Sequence, residues 1–331
     1  MKKQKRMFKI SLRTFPWIIM LLAIFINPCT GAEDPAKFPS KPITMIVPWP
    51  PGGTADLSTR RIADSASKAL GQPIVIVNKG GGAGVIGINA ISKADPDGYT
   101  IGNITHSPVV MIPHLRSVPY NTKEDFTFVM QFAEFMYAFC VLSDSPWKTL
   151  KDFVEDARKR PGKLTYSTPG PLSVCHVYME QLALMENIKL NHLPVQGDAE
   201  MVTQHLGGHV DGSLGAPLIP YIPAGKVRGL AVMSEKRLGV IPDVPTFSEL
   251  GYKIDYSILC GLVAPKGLDP RIAKKLNDAF KKGYDDPSFK EFLATLGMTP
   301  VYKDSESFKA MVFSEYDRLE IALKALGLFK K

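Results

Sequence analysis

Apolar positions along the chain fall into short unbroken runs, separated by stretches with helical spacing. Ile43–Val47 and Ile74–Val77 are continuous runs of the kind a parallel strand makes when both of its faces are covered. Between them, Leu57, Ile62, Ala63, Ala66 and Leu70 recur at near-helical spacing over Asp56 to Leu70, and Gly71 supplies the stop. The alternation continues with a helix over Gly84–Ala94, a turn at Asp95-Pro96-Asp97-Gly98 and a strand at Tyr99–Ile104. A middle section begins near Phe135. Thr149-x-x-Asp152 has the form of a capping box, opening a helix that ends at Pro161-Gly162. Leu164–Ser167, Leu193–Val195 and Gly229–Met233 read as strands, and Ser173–Glu186 as a helix.

A last section starts at the apolar run Ile258–Ala264. Asp269-Pro270 caps a helix carrying Ile272, Leu276 and Phe280 on one face. Asp304 and Ser305 open a long helix whose stripe is Phe308, Met311, Glu315, Leu319, Ala322 and Leu326, broken only by Glu315. Strands alternating with helices in this way make the chain an α/β protein.

The N-terminus follows neither pattern. Trp17 to Ile26 is a run of ten apolar residues, preceded by Lys2, Lys3, Lys5, Arg6, Lys9 and Arg13 and followed by Thr30-Gly31-Ala32. A basic start, a short apolar stretch and small residues at the −3 and −1 positions describe an export signal cleaved after Ala32. Ten residues are too few to cross about 30 Å of hydrocarbon as a helix. Pro28 before Cys29 fits a lipid-attachment site poorly.

That signal changes the charge picture. The 331 residues hold 40 Lys+Arg against 32 Asp+Glu, a formal net charge of +8. Residues 1–32 hold six of the basic residues and no acidic one, so the mature chain carries +2. Arg158-Lys159-Arg160 and Lys274-Lys275 are short clusters of the solvated-helix kind. The mature chain has no basic stripe, so a nucleic-acid partner is not expected. At 45% hydrophobic and 22% charged the composition is that of a folded globular protein. About 150 residues per domain gives two domains.

After cleavage Cys140, Cys175 and Cys260 remain. Cys140 and Cys260 lie in apolar runs and suit buried thiols better than a bridge, although pairing between two of the three stays open. No Cys-x-x-Cys or His-x-x-x-His spacing occurs, so neither a zinc site nor any other cofactor is expected.

Four loops are built for chemistry. The first, Pro48-Trp49-Pro50-Pro51-Gly52-Gly53-Thr54-Ala55-Asp56, joins the first strand to the first helix. Its glycines let backbone N–H groups approach a ligand, and the helix N-terminus favours an anion. The alternative is a tight turn with Thr54 or Asp56 as N-cap. The second, Gly82-x-Gly84-x-x-Gly87, matches a dinucleotide fingerprint letter for letter, but the acid required about 20 residues further on is missing. A close-packed turn at a cleft edge is the simpler reading. The third runs from Ser167 and Thr168 through Gly170 to Ser173 and His176. A hydrolase would use Ser173 as nucleophile and His176 as base, yet no Gly-x-Ser-x-Gly elbow surrounds the serine. Ser173 as N-cap with His176 as a structural hydrogen-bonding group is the simpler pairing. The fourth is diffuse: Val195-Gln196-Gly197-Asp198 after a strand, and Val210-Asp211-Gly212-Ser213. Either could put a polar group at a strand's carboxyl end, where open α/β sheets bind ligands, or be surface turn chemistry. Thr105 and Ser107 complete the candidate set.

Pro39-Ser-Lys-Pro-Ile-Thr-Met-Ile-Val-Pro-Trp-Pro-Pro-Gly-Gly-Thr-Ala-Asp56 resembles the opening of the extracytoplasmic solute receptors of tripartite tricarboxylate transporters, the Bug (TctC) family. So do Leu70-Gly-Gln-Pro-Ile-Val-Ile-Val-Asn78, Pro96-Asp-Gly-Tyr-Thr100, Pro161-Gly-Lys-Leu-Thr-Tyr-Ser167 and Pro242-Asp-Val-Pro-Thr246. The resemblance covers the mature chain in order. It implies a two-lobed periplasmic-binding-protein fold, a Venus flytrap of type II-like topology. Residues 33–133 and 258–331 would form one domain and 134–257 the other, hinged near Phe135–Leu142 and Tyr256–Val263. It also implies a periplasmic, non-catalytic receptor passing a small carboxylate-bearing solute (a di- or tricarboxylate, an amino acid or an aromatic acid) to membrane transporter subunits. The carboxylate would be held by backbone N–H groups and water in the first loop and the opposing loops.

That fits the residues, because neither the first nor the third loop contains Lys or Arg. The chain departs from the family pattern at Leu172, where a glycine is usual, and at Val195-Gln196, where Tyr-Lys is usual. Asp198 and Glu200 follow, and such acids would favour a ligand with an ammonium group. Trp49, where phenylalanine is common, offers an apolar or stacking wall.

Overall fold

The chain runs through two β-sheets and changes sheet twice. The computed structural model describes residues 33–234, 236–252 and 258–325. The export-signal reading, Leu326 and the first two residues of the second expected hinge segment lie outside the described residues. The first sheet is begun by β1 (Ile43–Val47), α1 (Thr54–Leu70), β2 (Ile74–Asn78), α2 (Val85–Ser92), β3 (Thr100–Thr105), α3 (Ile112–Leu115) and β4 (Phe126–Phe135). The second is built by β5 (Tyr137–Leu142), α4 (Leu150–Lys159), β6 (Thr165–Thr168), α5 (Val174–Met185), β7 (Asn191–Pro194), α6 (Asp198–Leu206), β8 (Gly212–Gly215) and β9 (Val227–Met233). The chain then re-enters the first sheet with β10 (Leu259–Pro265), α7 (Pro270–Asp285), α8 (Pro287–Thr295), β11 (Met298–Lys303) and α9 (Ser305–Ala325).

The two sheets repeat one design. Among the described residues their orders are β11-β4-β10-β3-β1-β2 and β7-β6-β8-β5-β9. In the first, β1 pairs in parallel with β2 and β3, and β10 runs antiparallel between β3 and β4. In the second, β6 pairs in parallel with β7 and β8, and β5 runs antiparallel between β8 and β9. In each case the strand reversed between two neighbours is the one that has just arrived from the other sheet; β11, at the edge of the first sheet, also runs antiparallel to β4. Only Met136 separates β4 from β5, and its N–H donates to the Gly297 carbonyl (3.0 Å). Phe135 N–H donates to the Ile258 carbonyl (2.8 Å), so the described ends of the two crossings lie side by side. The result is a two-lobed α/β fold.

Local chemistry sets the elements largely as the spacing predicts. Thr149 and Asp152 form the expected reciprocal capping box, Asp269 caps α7, and Gly71 ends α1 at φ +70°. The helix expected from Gly84 begins instead at Val85, after a tight turn over Gly82–Gly84 in which Ala83 itself has φ +52°. The stripe on α9 also differs. Phe308, Val312, Leu319 and Leu323 are the fully buried positions, while Met311 and Glu315 lie at the edge. Glu315 therefore interrupts nothing; it pairs with Arg318 at 2.6 Å on the rim. Gly261 in β10 makes this docking possible, because a Cβ there would stand 2.3 Å from Phe308 Cζ. The Phe308 ring meets Phe128 edge-on at 5.5 Å. Phe308→Ala should cost about 3–5 kcal/mol in urea unfolding. A loss under about 1 kcal/mol would mean that α9 is not anchored through this ring.

The second lobe buries a small polar chain within its core. Ser167 Oγ and Ser213 Oγ are 2.7 Å apart, and His205 Nδ1 lies 2.9 Å from Ser213 Oγ. Cys140, Cys175 and Cys260 are buried free thiols. Burial pushes His205 down from 6.5 to about 4. The unfolded chain thus takes a proton that the folded one refuses. This contribution to stability is complete above pH 6.5 and is lost as pH falls toward 4. His205 alone should add a slope of up to about 1.4 kcal/mol per pH unit in that window. Urea unfolding at stepped pH should show a shallower slope for His205→Asn than for the parent.

Candidate functional site

β1 delivers the first loop to the edge of the gap between the lobes, and Asp56 ties the loop down. Its carboxylate accepts the Gly52 N–H (2.9 Å), Arg60 Nε (3.0 Å) and Asn78 Nδ2 (2.8 Å), and Asn78 Nδ2 also reaches the Trp49 carbonyl (3.0 Å). Burial alone would raise the Asp56 pKa, but these bonds together hold it below the ordinary carboxylate value. Asp56 therefore shapes the loop from behind. Gly52, at φ +83°, makes the turn that exposes the helix start, and Gly53 is the N-cap of α1. Pro51 and Gly52 are exposed and face outward. Trp49 turns inward: its Nε1 donates to Thr105 Oγ1 (3.0 Å), setting the indole across the end of β3.

The opposing loop follows β6. Ser173 caps α5, its Oγ accepting the His176 N–H (3.3 Å). His176 Nδ1 accepts the Leu172 N–H (2.9 Å), steadying a residue held at φ +59° where the family resemblance expected glycine. The His176 ring stacks on His192 at 4.0 Å, and His192 Nε2 lies 3.0 Å from Thr168 Oγ1. Burial lowers the pKa of both histidines, that of His192 to about 4. Both ring nitrogens of His176 point away from the serine, with Nε2 lying 3.8 Å from Glu180, so no Ser–His dyad forms. Asp211 accepts Thr165 N–H (2.7 Å) and Oγ1 (2.8 Å) and joins two strands. Ser167, Thr168 and His176 thus support the loop from behind, while Asp211 lies at the opposite, amino-terminal end of β6, away from the loop.

Two adjoining cavities separate the lobes. The inner one, of about 490 Å³ including its open mouth, is lined by Trp49, Gly53, Thr105, Ser107, Ser173 and Gly197 from the expected set. The outer one, about 930 Å³, is lined by Trp49, Gly170, Val195, Gln196 and Gly197 from that set. Gly53, Ser173 and Gly197 are the N-caps of α1, α5 and α6. Three helix N-termini therefore converge on the inner cavity, whose lining holds no Lys or Arg. Their partial positive charges make it a place for an anion.

The lobes touch across this space. Thr54 N–H donates to Asp198 Oδ2 (3.0 Å), and Val174 N–H donates to Ser107 Oγ (3.0 Å). Each lobe's helix start is thus capped by a side chain of the other.

The inner lining also includes His106, Phe135, Tyr137 and Cys175, which the sequence reading did not select, together with Ala55 of the first loop and Asp198 of the fourth. His106 sits between two residues it did select. Phe135 and Tyr137 flank the first crossing, a segment read only as a hinge. Cys175 lies in the first turn of α5, two residues past its N-cap. Arg116 is a cation on the outer cavity, donating to the Gly82 carbonyl (2.9 Å). The glycine loop is a close-packed turn on that outer rim. A Cβ on Gly87 would stand 2.6 Å from Pro48 Cα, which accounts for the fingerprint spacing without a nucleotide. Among the described residues no group of three or more His, Cys, Asp or Glu is arranged to hold a metal ion. No helix among them is long and apolar enough to cross a membrane.

Comparison with known proteins gives this geometry a context. Residues 58–328 match the tripartite tricarboxylate transporter family receptor, TctC. The chain is 37% identical over 310 residues to the UPF0065 protein in the gbd 5' region of Cupriavidus necator, spanning 93% of this chain and 94% of that protein. Two solved structures from Rhodopseudomonas palustris share the fold. MatC with bound malate is 26% identical with a TM-score of 0.79, covering 86% of this chain and 99% of its own. A second protein, solved with adipate, is 28% identical with a TM-score of 0.81, covering 88% and 98%.

Proposed function

This chain belongs to the tripartite tricarboxylate transporter receptor family, and from that premise we propose that it captures a small carboxylate-bearing solute for the membrane subunits of a tripartite tricarboxylate-type transporter. As a member of a receptor family it is a binding protein and not an enzyme. The observation that carries the carboxylate reading is the convergence of the α1, α5 and α6 N-termini on one cavity without a basic side chain. The malate and adipate bound by its relatives support the same ligand class. Gly53, Thr105, Ser107, Ser173 and Gly197 contact the ligand, Trp49 walls it, and Gly170, Val195 and Gln196 line the approach.

Residues 33–133 and 258–331 belong to one domain and 134–257 to the other, to within the two residues by which β4 continues to Phe135, with Met136 at the first crossing. Closure is a population shift driven by contacts that exist only when the lobes meet, such as Thr54 with Asp198 and Val174 with Ser107. Residues 1–32 direct the chain to the periplasm and are removed after Ala32. The mature protein isolated from periplasm should therefore have an intact mass beginning at Glu33.

Thermal-shift screening against C3–C9 carboxylates and amino acids should find a stabilising ligand. At 100 times its Kd such a ligand adds about 2.7 kcal/mol. Gly53→Val places methyl groups toward Asp198, since even a Cβ would come within 3.4 Å of Asp198 Cβ. It should weaken that ligand at least about tenfold by calorimetry. Unchanged affinity in a folded variant would remove the site assignment.

A further inference from the structure

The inner cavity carries a carboxylate for which a receptor of simple anions has no use. Asp198, the first residue of α6, lines it from the second lobe. Its Oδ2 accepts the Thr54 N–H at the start of α1 (3.0 Å). That bond uses the partial positive end of α1 and still leaves the carboxylate acceptor capacity to spare. The nearby Glu200 is spent elsewhere: it accepts the Gln196 N–H (2.7 Å) and does not line either cavity.

Beyond the partial charges at the starts of α1 and α6, nothing in the lining neutralises Asp198. No Lys or Arg lines the cavity, and burial holds His106 down at about 3, so its ring stays neutral. Burial, aided by the negative charge of Asp198, raises the Tyr137 phenol and the Cys175 thiol, so both stay protonated. Burial also raises Asp198 itself above the ordinary carboxylate value, a cost that a cation beside it would remove. The remaining walls are aromatic. Trp49, Phe135 and Tyr137 face the same space, the last two stacked at 5.8 Å. An acid set among aromatic faces is the chemistry that receives an ammonium group.

We propose that Asp198 makes this site select a zwitterion, an amino acid or betaine, over a dicarboxylate. The ammonium sits between Asp198 and the aromatic walls. The carboxylate turns to the Ser107 and Ser173 hydroxyls at the start of α5, where the helix dipole is still available. A dicarboxylate in the same pose would place its second carboxylate against Asp198 with no cation between them, and like charges repel. This inference rests on the receptor function proposed above and names the ligand class of that same cavity.

Matched pairs of ligands test it. Succinate against 4-aminobutyrate and adipate against 6-aminohexanoate differ in charge at one end, and glycine betaine adds a quaternary ammonium. Calorimetry on the mature chain should give the amino member of at least one pair an affinity at least about tenfold above its diacid. Asp198→Asn, nearly identical in shape and able to keep the Thr54 contact, should erase or reverse that preference. Tighter binding of the diacids by the parent would overturn the proposal while leaving the carboxylate-receptor reading intact. An amino preference that survives Asp198→Asn would overturn the role of Asp198. Binding of none of these five compounds or of any other carboxylate or amino acid in the wider screen would overturn both readings. The comparison within the parent stands even if the variant fails to fold.

Discussion

Each sheet of this protein is completed by a strand that comes from the other. β10 enters between β3 and β4, and β5 between β8 and β9, both antiparallel to their neighbours. Neither sheet can close its hydrogen-bond ladder without the crossing, so the two lobes are tied through their centres. The same arrangement aims the carboxyl ends of the parallel strands, and the helix N-termini that follow them, into the gap between the lobes. Everything the site does depends on this exchange. It also puts Phe135 and Tyr137, which flank the crossing residue Met136, into the wall of the cavity.

The electrostatics of the cleft follow from that geometry. Helix starts bring partial positive charge without long basic side chains, so the cavity can be narrow and still favour an anion. Asp198 modifies this field locally, and its contact with Thr54 crosses the lobes, as does that of Ser107 with Val174. Of the groups that make these two contacts, Asp198 and Ser107 also line the inner cavity. Loop shape is maintained from behind by residues with no access to the cavity: Asp56 and Asn78 under the first loop, His176, His192 and Thr168 under the opposing one.

How much of this was legible in the sequence varied with the range of the interaction. Strand runs, caps and helix stops are local, and Thr149–Asp152, Asp269 and Gly71 act where their spacing says they should. The stripe expected on α9 shared Phe308 and Leu319 with the buried face but gave Met311 the place that Val312 takes. Its partners, Gly261 and Phe128, sit on distant strands that choose which side faces in. The loops that border the cavity were recognisable from glycine, proline and hydroxyl density after a strand. Which side chain of a loop faces the cleft was not. Asp56, Ser167, Thr168, His176 and Asp211 have the right chemistry and turn to their own lobe, while His106, Cys175, Phe135 and Tyr137 line the cavity.

The sequence by itself determined the α/β class, the positions of the ligand loops and the absence of basic residues from the first and third of them. These are properties of composition and of spacing within a few residues. It also placed the excess positive charge in the first 32 residues, so that the rest of the chain is nearly neutral. Only the tertiary structure decided that α1, α5 and α6 start around one cavity, and that Asp198 meets Thr54 across 144 positions of chain. The reason is physical: a helix start carries its charge wherever it lies, but which helix starts share one space is settled by the strands exchanged between two sheets.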